Sequence, residues 1–202
     1  ESAYVREGSS QDFVYSPINS DFTNNRGLEL DVIKYLRFFG VRGNYTFTLS
    51  EITTNKLAYF RDENGDLVPN FLITQERPLY GQSRHAGNVS FIYKGLKNKA
   101  NAQLAFSYTG DRIHTVSQYI DNDEWQKGFW QLDASAQKVF GKKIQVFVKA
   151  HNLLNTRLYA YILKTNDYNN IFPNHGSNDE NTLVIYQKSA PSFIAGIRIT
   201  VN

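Results

Sequence analysis

Two adjoining stretches of the chain alternate apolar and polar residues with a period of two. They are Trp130 to Phe140 and, after the short break Gly141-Lys142-Lys143, Ile144 to Ala150. Trp130, Leu132, Ala134, Ala136 and Phe140 fall on one side, and Gln131, Asp133, Ser135 and Gln137 on the other. Successive side chains of a strand point to opposite faces of its sheet, so the pattern builds one oily face and one wet face. A chain written this way must form an antiparallel sheet and find something apolar to cover one side of it.

The same unit recurs. Leu28, Leu30 and Val32 alternate with Glu29 and Asp31, and Tyr45, Phe47 and Leu49 with Asn44, Thr46 and Thr48. Gly87, Val89, Phe91 and Tyr93 form a third series, Ala100 to Tyr108 a fourth, and Phe193 to Val201 closes the chain. A weaker strand is expected over Asp12 to Pro17, giving about eight in all. The connections are of two kinds. Those around Arg37–Gly40, Gly95–Asn98 and Gly141–Lys143 are a few residues long, as in hairpins. Those from about Glu51 to Ser83, Gly110 to Gly128 and Asn155 to Ala190 are far longer. Structureless loops of that length argue against a compact soluble domain, whereas an outer-membrane barrel has short periplasmic turns and long extracellular loops. Leu57 to Phe60 and Leu67-Val68 flank Asp62-Glu63-Asn64-Gly65-Asp66, so the first long loop is expected to carry a small hairpin of its own.

Composition agrees. Mean hydropathy of -0.46 is no obstacle, because a barrel shows lipid only every second residue of each strand. No apolar run approaches the ~20 residues of a membrane helix. Aromatics make up 14% of the chain and gather near strand ends (Phe38, Phe39, Tyr93, Tyr108, Phe129, Trp130, Phe140), as interfacial girdles do. With no Cys there is neither a disulfide scaffold nor a cysteine-ligated metal. A net charge of +3 without a block of like charges lends no support to nucleic-acid binding.

Four stretches resemble the C-terminal barrel of TonB-dependent outer-membrane receptors, in particular the Bacteroidetes-type branch. They are Asn24-Asn25-Arg26-Gly27-Leu28-Glu29-Leu30, Gly81 to Tyr93, Leu132 to Phe140 with Val146 to Ala150, and His151-Asn152-Leu153-Leu154-Asn155-Thr156. Gly27 also suits a sharp turn into a strand, and Asn152 and Asn155 a strand-to-loop exit. The resemblance implies an all-β, antiparallel transmembrane β-barrel, with residues 1–202 supplying about eight strands at the C-terminal end of a barrel of about twenty-two. The family's N-terminal plug and TonB-contacting segment lie outside this chain. The chain also ends Thr200-Val201-Asn202 rather than in the aromatic residue usual for the family.

The function implied is uptake of a scarce ligand (siderophore, cobalamin, glycan or peptide) through a plugged barrel in the bacterial outer membrane. No cofactor and no catalytic residue are expected. The implied partners are outer-membrane lipid and lipopolysaccharide, the TonB complex through the N-terminal part, and a surface lipoprotein. Gln103, Gln131, Asp133, Gln137, Lys149 and Arg198 are the candidates for the lumen, and Tyr119, Trp125, Tyr159, Tyr161 and Tyr168 for loop contacts with a ligand.

His85, His114, His151 and His175 are scattered. Neither Asp62 to Asp66 nor Asp121-Asn122-Asp123-Glu124 keeps full calcium-loop spacing. Two other architectures share the alternation: a self-contained eight-stranded outer-membrane barrel serving as anchor or adhesin, and a soluble ligand-binding barrel.

Overall fold

A computed structural model describes residues 2–6, 13–17, 22–61, 63, 64, 66–95, 97, 99–163 and 181–201; at 2–6, 13–17, 59–61 and 67–71 it describes the backbone alone. All regular structure among them is strand. In chain order the strands are β1 (Ser2–Arg6), β2 (Phe13–Pro17), β3 (Thr23–Leu36), β4 (Phe39–Arg61), β5 (Leu67–Arg77), β6 (His85–Gly95) and β7 (Ala100–Thr109). They continue with β8 (Arg112–Thr115), β9 (Glu124–Gln126), β10 (Phe129–Phe140), β11 (Ile144–His151), β12 (Arg157–Ile162), β13 (Thr182–Lys188) and β14 (Ser192–Ile199).

Seven of these form an antiparallel wall in the order β14-β11-β10-β7-β6-β4-β3. Direct cross-strand partners share a face, and register carries the alternation through every strand. One row reads Val41, Phe91, Leu104, Ala134, Ala150 and Phe193 from β4 to β14. The row beneath it reads Phe39, Tyr93, Ala102, Ala136, Val148 and Ala195. The opposite face carries Asn44, Asn88, Ser107 and Gln131 in one row and Gln103, Ser135 and Lys149, flanked by Ile92 and Ile194, in another. The apolar face is uncovered: Phe193 is 68% exposed, Ile197 67% and Val32 65%. So wide an apolar surface needs a nonaqueous neighbour, which the alternation predicts to be lipid.

The short turns all lie at one edge of the wall. Arg37 (φ 52°), Lys99 (φ 50°) and Gly141 (φ 59°) take the left-handed conformation that reverses the chain there. Two glycines serve close approach instead. A Cβ on Gly196 would sit 2.6 Å from the ring of its partner Phe147, which covers it. A Cβ on Gly27 would lie 2.4 Å from the Phe47 carbonyl oxygen. Gly27 therefore does not open a strand, as its motif suggested; it sits inside β3, where two backbones crowd together.

Three further expectations are corrected. The strand expected over Asp12 to Pro17 forms as β2, but it pairs with β1 in a separate two-stranded sheet and adds nothing to the wall. Alternation marks a strand without naming its neighbour. The small hairpin expected in the first long loop is longer than its motif: β4 runs for 23 residues, about twice what a tilted membrane crossing takes. Its first part pairs with β3 and β6, and from Ile52 to Arg61 it pairs with β5. The expected hairpin therefore forms, as the upper part of β4 paired with β5, and is larger than its motif. Finally, the other two long connections are not plain loops. They contribute a four-stranded sheet in the order β13-β12-β9-β8.

Candidate functional site

Apart from Ala150 on β11, the described core lies beyond the paired wall strands, at their long-loop end. Ile52, Ala58, Ile113 and Ala160 are buried there, with Lys56, Arg77, Asn122, Asp123 and Gln126. Lys56 stands on the extended part of β4, and its Nζ donates to Asp123 Oδ1 at 2.5 Å. The same carboxylate oxygen accepts the Ser117 backbone N–H at 2.7 Å, and Arg77 Nε lies 3.9 Å from Oδ2. Gln75 Nε2 donates to Asp121 Oδ1 at 3.0 Å. Backbone bonds from Leu57 N to Gln118 O (2.8 Å) and from Ile120 N to Leu57 O (3.0 Å) tie the segment to β4. The β4–β5 hairpin is thereby clamped to the connection after β8. Burial pushes the Lys56 amine below its usual pKa, and Asp123 offsets part of that shift. On the exposed side of the hairpin a hydrogen bond with Glu51, and its charge, hold the Glu76 carboxyl above the usual range.

Four of the five loop aromatics picked out from sequence are described; Tyr168 lies outside the described residues. Trp125 and Tyr161 are direct partners across β9 and β12. Tyr159 and Tyr161 lie with ring centroids 6.3 Å apart and nearly parallel, and Tyr159 meets Tyr186 at 5.3 Å. Cross-strand and i, i+2 neighbours share a face, so these four rings form one patch on the loop sheet. Arg157, two residues before Tyr159 on β12, stands on the same face. Tyr119 does not join them: it belongs to the clamp, bridged to Leu57. Tyr186 was missed although it belongs to the same long connection as Tyr159 and Tyr161, and only its register with Tyr159 places it.

Trp125 also lines a cavity of about 410 Å³ at the head of the wall, with Thr48, Ser50, Gln82, Arg84, Tyr108 and Asp111 among its walls. His85 borders it as well, accepting or donating at 2.7 Å with the Tyr45 hydroxyl. A second cavity, of about 420 Å³, opens on the polar face of the wall. Gln103, Gln137, Lys149 and Arg198 line it together with Lys94, Asn101 and Gln145. Gln131 and Asp133 share this face higher on β10, joined by hydrogen bonds of 3.1 and 3.2 Å. All six polar candidates therefore stand on one side of the sheet.

The motif Asn152-Leu153-Leu154-Asn155 closes β11 and starts the last long connection. Asn152 (φ 56°) and Asn155 (φ 51°) both take the left-handed conformation, which asparagine tolerates better than most residues. Asn152 N–H donates to Asp133 Oδ1 at 2.9 Å, its Nδ2 donates to Ser189 O at 2.7 Å, and its Oδ1 accepts the Thr156 N–H at 2.9 Å. Thr156 Oγ1 donates to the Trp130 carbonyl. The motif is a fastening between strand and loop.

Among the described residues no cluster of three or more His, Asp or Glu side chains is arranged to hold a metal. His151 approaches Asp133 at 3.6 Å, His114 stands apart, and His175 lies outside the described residues. A family model for a TonB dependent receptor-like β-barrel matches residues 2–153. No curated protein and no solved structure matches the chain.

Proposed function

The chain belongs to the TonB-dependent receptor-like β-barrel family, transporters of the bacterial outer membrane that work with TonB and are not enzymes, and on that premise we propose how this wall serves uptake. Residues 1–202 are the C-terminal part of a wider barrel whose plug and TonB-contacting segment belong to the N-terminal part of the receptor. The observation that carries the reading is the separation of faces across seven strands, apolar on one side and polar on the other. Among the described residues β3 and β14 do not pair with each other, which favours a segment of a wider wall over a self-contained small barrel. The four motif resemblances favour the Bacteroidetes-type branch.

In this reading the short turns face the periplasm and the long connections face outward. Gln103, Gln131, Asp133, Gln137, Lys149 and Arg198 line the lumen against the plug. Trp125, Tyr159, Tyr161 and Tyr186, with Arg157 beside them, form the ligand-facing patch of the vestibule. Flat rings bordered by hydrogen-bonding groups match the C–H faces and hydroxyl rims of sugar rings, so among siderophore, cobalamin, glycan and peptide the reading takes a glycan. The outermost strands would also meet lipopolysaccharide, and the loop sheet a surface lipoprotein.

Cysteine labelling tests the faces directly, because the chain has no Cys of its own. In the intact receptor, Gln103→Cys is expected to react with a charged, water-soluble reagent and Leu104→Cys only with a lipid-soluble one. The reverse pattern rejects the assignment. For the ligand, Trp125→Ala with Tyr161→Ala is expected to weaken binding of oligosaccharide about tenfold or more without lowering receptor abundance, a loss of ~1–3 kcal/mol typical of stacked rings.

A further inference from the structure

The short-turn edge of the wall is basic without exception. Lys34 and Arg37 flank the first turn, Lys94, Lys97 and Lys99 the second, and Lys138, Lys142 and Lys143 the third. No Asp or Glu occurs from residue 32 to 50, from 77 to 110 or from 134 to 166, so no carboxylate lies on these turns or the strand ends beside them; Asp31, further up β3, pairs with Arg42 at 3.6 Å. Lys34 pairs in register with Val41, and Lys138 with Val146 and Ala100, so both stand on the apolar face. Lys138 Nζ lies 5.2 Å from the Phe140 ring centroid, and the Arg37 guanidinium 4.7 Å from that of Phe38. Lys99 Nζ donates to the Gly141 carbonyl at 3.1 Å, which fastens the second turn to the third. Long cations on an apolar surface send their charge toward the interface.

A groove of about 460 Å³ opens on the same apolar face. Its floor is Ala102, Ala134, Ala136 and Ala150, with Phe91 and Tyr93 on one side and Val148 on the other. Lys138 follows Ala134 and Ala136 on that face of β10, about 7 Å beyond Ala136 at strand spacing. A cationic edge thus lies next to an apolar trough cut into the bilayer-facing wall.

We propose that this edge and groove bind an anionic phospholipid of the periplasmic leaflet, its headgroup phosphate held by Lys99, Lys138, Lys142 and Lys143 and one acyl chain laid along the groove. The inference rests on the membrane orientation given above. Charge selects the occupant: a zwitterionic lipid gains less from an edge with no carboxylate, and lipopolysaccharide belongs to the opposite leaflet.

The test uses the intact receptor extracted in mild detergent and titrated with phosphatidylglycerol, phosphatidylethanolamine or lipopolysaccharide, with bound lipid counted by native mass spectrometry. The wild type is expected to prefer phosphatidylglycerol over phosphatidylethanolamine, and each lysine removed to lower that preference by up to about fivefold. Lys138→Gln with Lys142→Gln and Lys143→Gln abolishes it, whereas Ala136→Trp, which fills the groove, lowers retention of both phospholipids. Lys188→Gln, on the loop sheet, leaves the preference intact. If the triple variant fails to assemble, Lys142→Gln alone provides the readout from an exposed turn. Equal retention of the two phospholipids by the wild type overturns the proposal, and so does preferential capture of lipopolysaccharide at this edge. A receptor that never enters the outer membrane overturns the reading of the wall itself, which separates the two failures.

Discussion

Lys56 and Asp123, 67 residues apart in the chain, meet at 2.5 Å with side chains only 2% and 6% exposed. The pair joins an extended wall strand to a connection that the sequence presents as a plain loop. A buried ion pair contributes little net stability compared with a well-packed apolar pair, but losing one partner strands a charge. Asp123→Asn is therefore expected to loosen the clamp by about 3–5 kcal/mol. Limited proteolysis should cut first between residues 116 and 123, while the wall keeps its resistance. The double change Lys56→Met with Asp123→Asn, which keeps an acceptor for the Ser117 N–H while removing the stranded amine, is expected to recover part of the loss; recovery no better than the single variant counts against the clamp.

The same lysine gives the clamp a pH dependence. With the clamp open, the amine titrates near its ordinary 10.5; closed, burial lowers that value, with Asp123 opposing. Between the two values the open state binds more protons, so closure strengthens as pH rises through the interval just below 10.5. Below that interval both states carry the proton and this group contributes no slope. Spin labels at Thr74 and His114 should report a narrower distance distribution across the interval, and broadening would contradict the sign.

Gly27 and Gly196 both lack room for a Cβ, but for different reasons. At Gly27 the obstacle is the Phe47 backbone carbonyl, and at Gly196 it is a ring that can rotate away. Overpacking of this kind costs ~1–3 kcal/mol, and more where nothing yields. Gly27→Ala is expected to lower the yield of assembled receptor more than Gly196→Ala, and Phe147→Leu should rescue only the latter. Heat-modified electrophoretic mobility measures both.

Asn152 fastens the β11 exit through its backbone N–H and both ends of its side-chain amide. Asn152→Gly keeps the φ of 56° accessible but loses the amide bonds, whereas Asn152→Ala loses both. Urea unfolding is expected to rank them wild type, glycine, alanine, with alanine about 1–3 kcal/mol down. An alanine variant as stable as the wild type would remove the fastening role.

Adjacent residues on β7 separate the two faces. Leu104→Lys puts a charge against lipid and is expected to cost about 2–4 kcal/mol near mid-membrane, whereas Gln103→Lys on the polar face costs far less. Equal losses on refolding into vesicles would mean that the two faces meet the same medium.

The wall was legible residue by residue. Every apolar series read from the chain, from Leu28-Leu30-Val32 to Phe193 to Ile199, lies on one face, and the six polar candidates lie on the other. The long connections were read only in part. The Asn-Gly turn between Leu57 and Val68 signalled a hairpin, yet nothing in those residues announced that β4 would run on unbroken and change partner at Ile52. Trp125, Tyr159 and Tyr161 were singled out as aromatic, and Tyr119 for the same reason, although it turned out to serve the clamp. Tyr186, an aromatic of the same long connection as Tyr159 and Tyr161, carried the same signal, but only its register with Tyr159 assigns it to the patch.

From its sequence alone, then, this protein's strand faces, hairpin ends and membrane habitat were determined. Side-chain alternation is a property of neighbours along one strand, and antiparallel register passes the same parity to the next strand unchanged. Which connections fold against one another was decided only by the tertiary structure. The meetings of Lys56 with Asp123 and of Tyr159 with Tyr186 depend on closing long loops and on the water expelled when they close, and neither leaves a period in the chain.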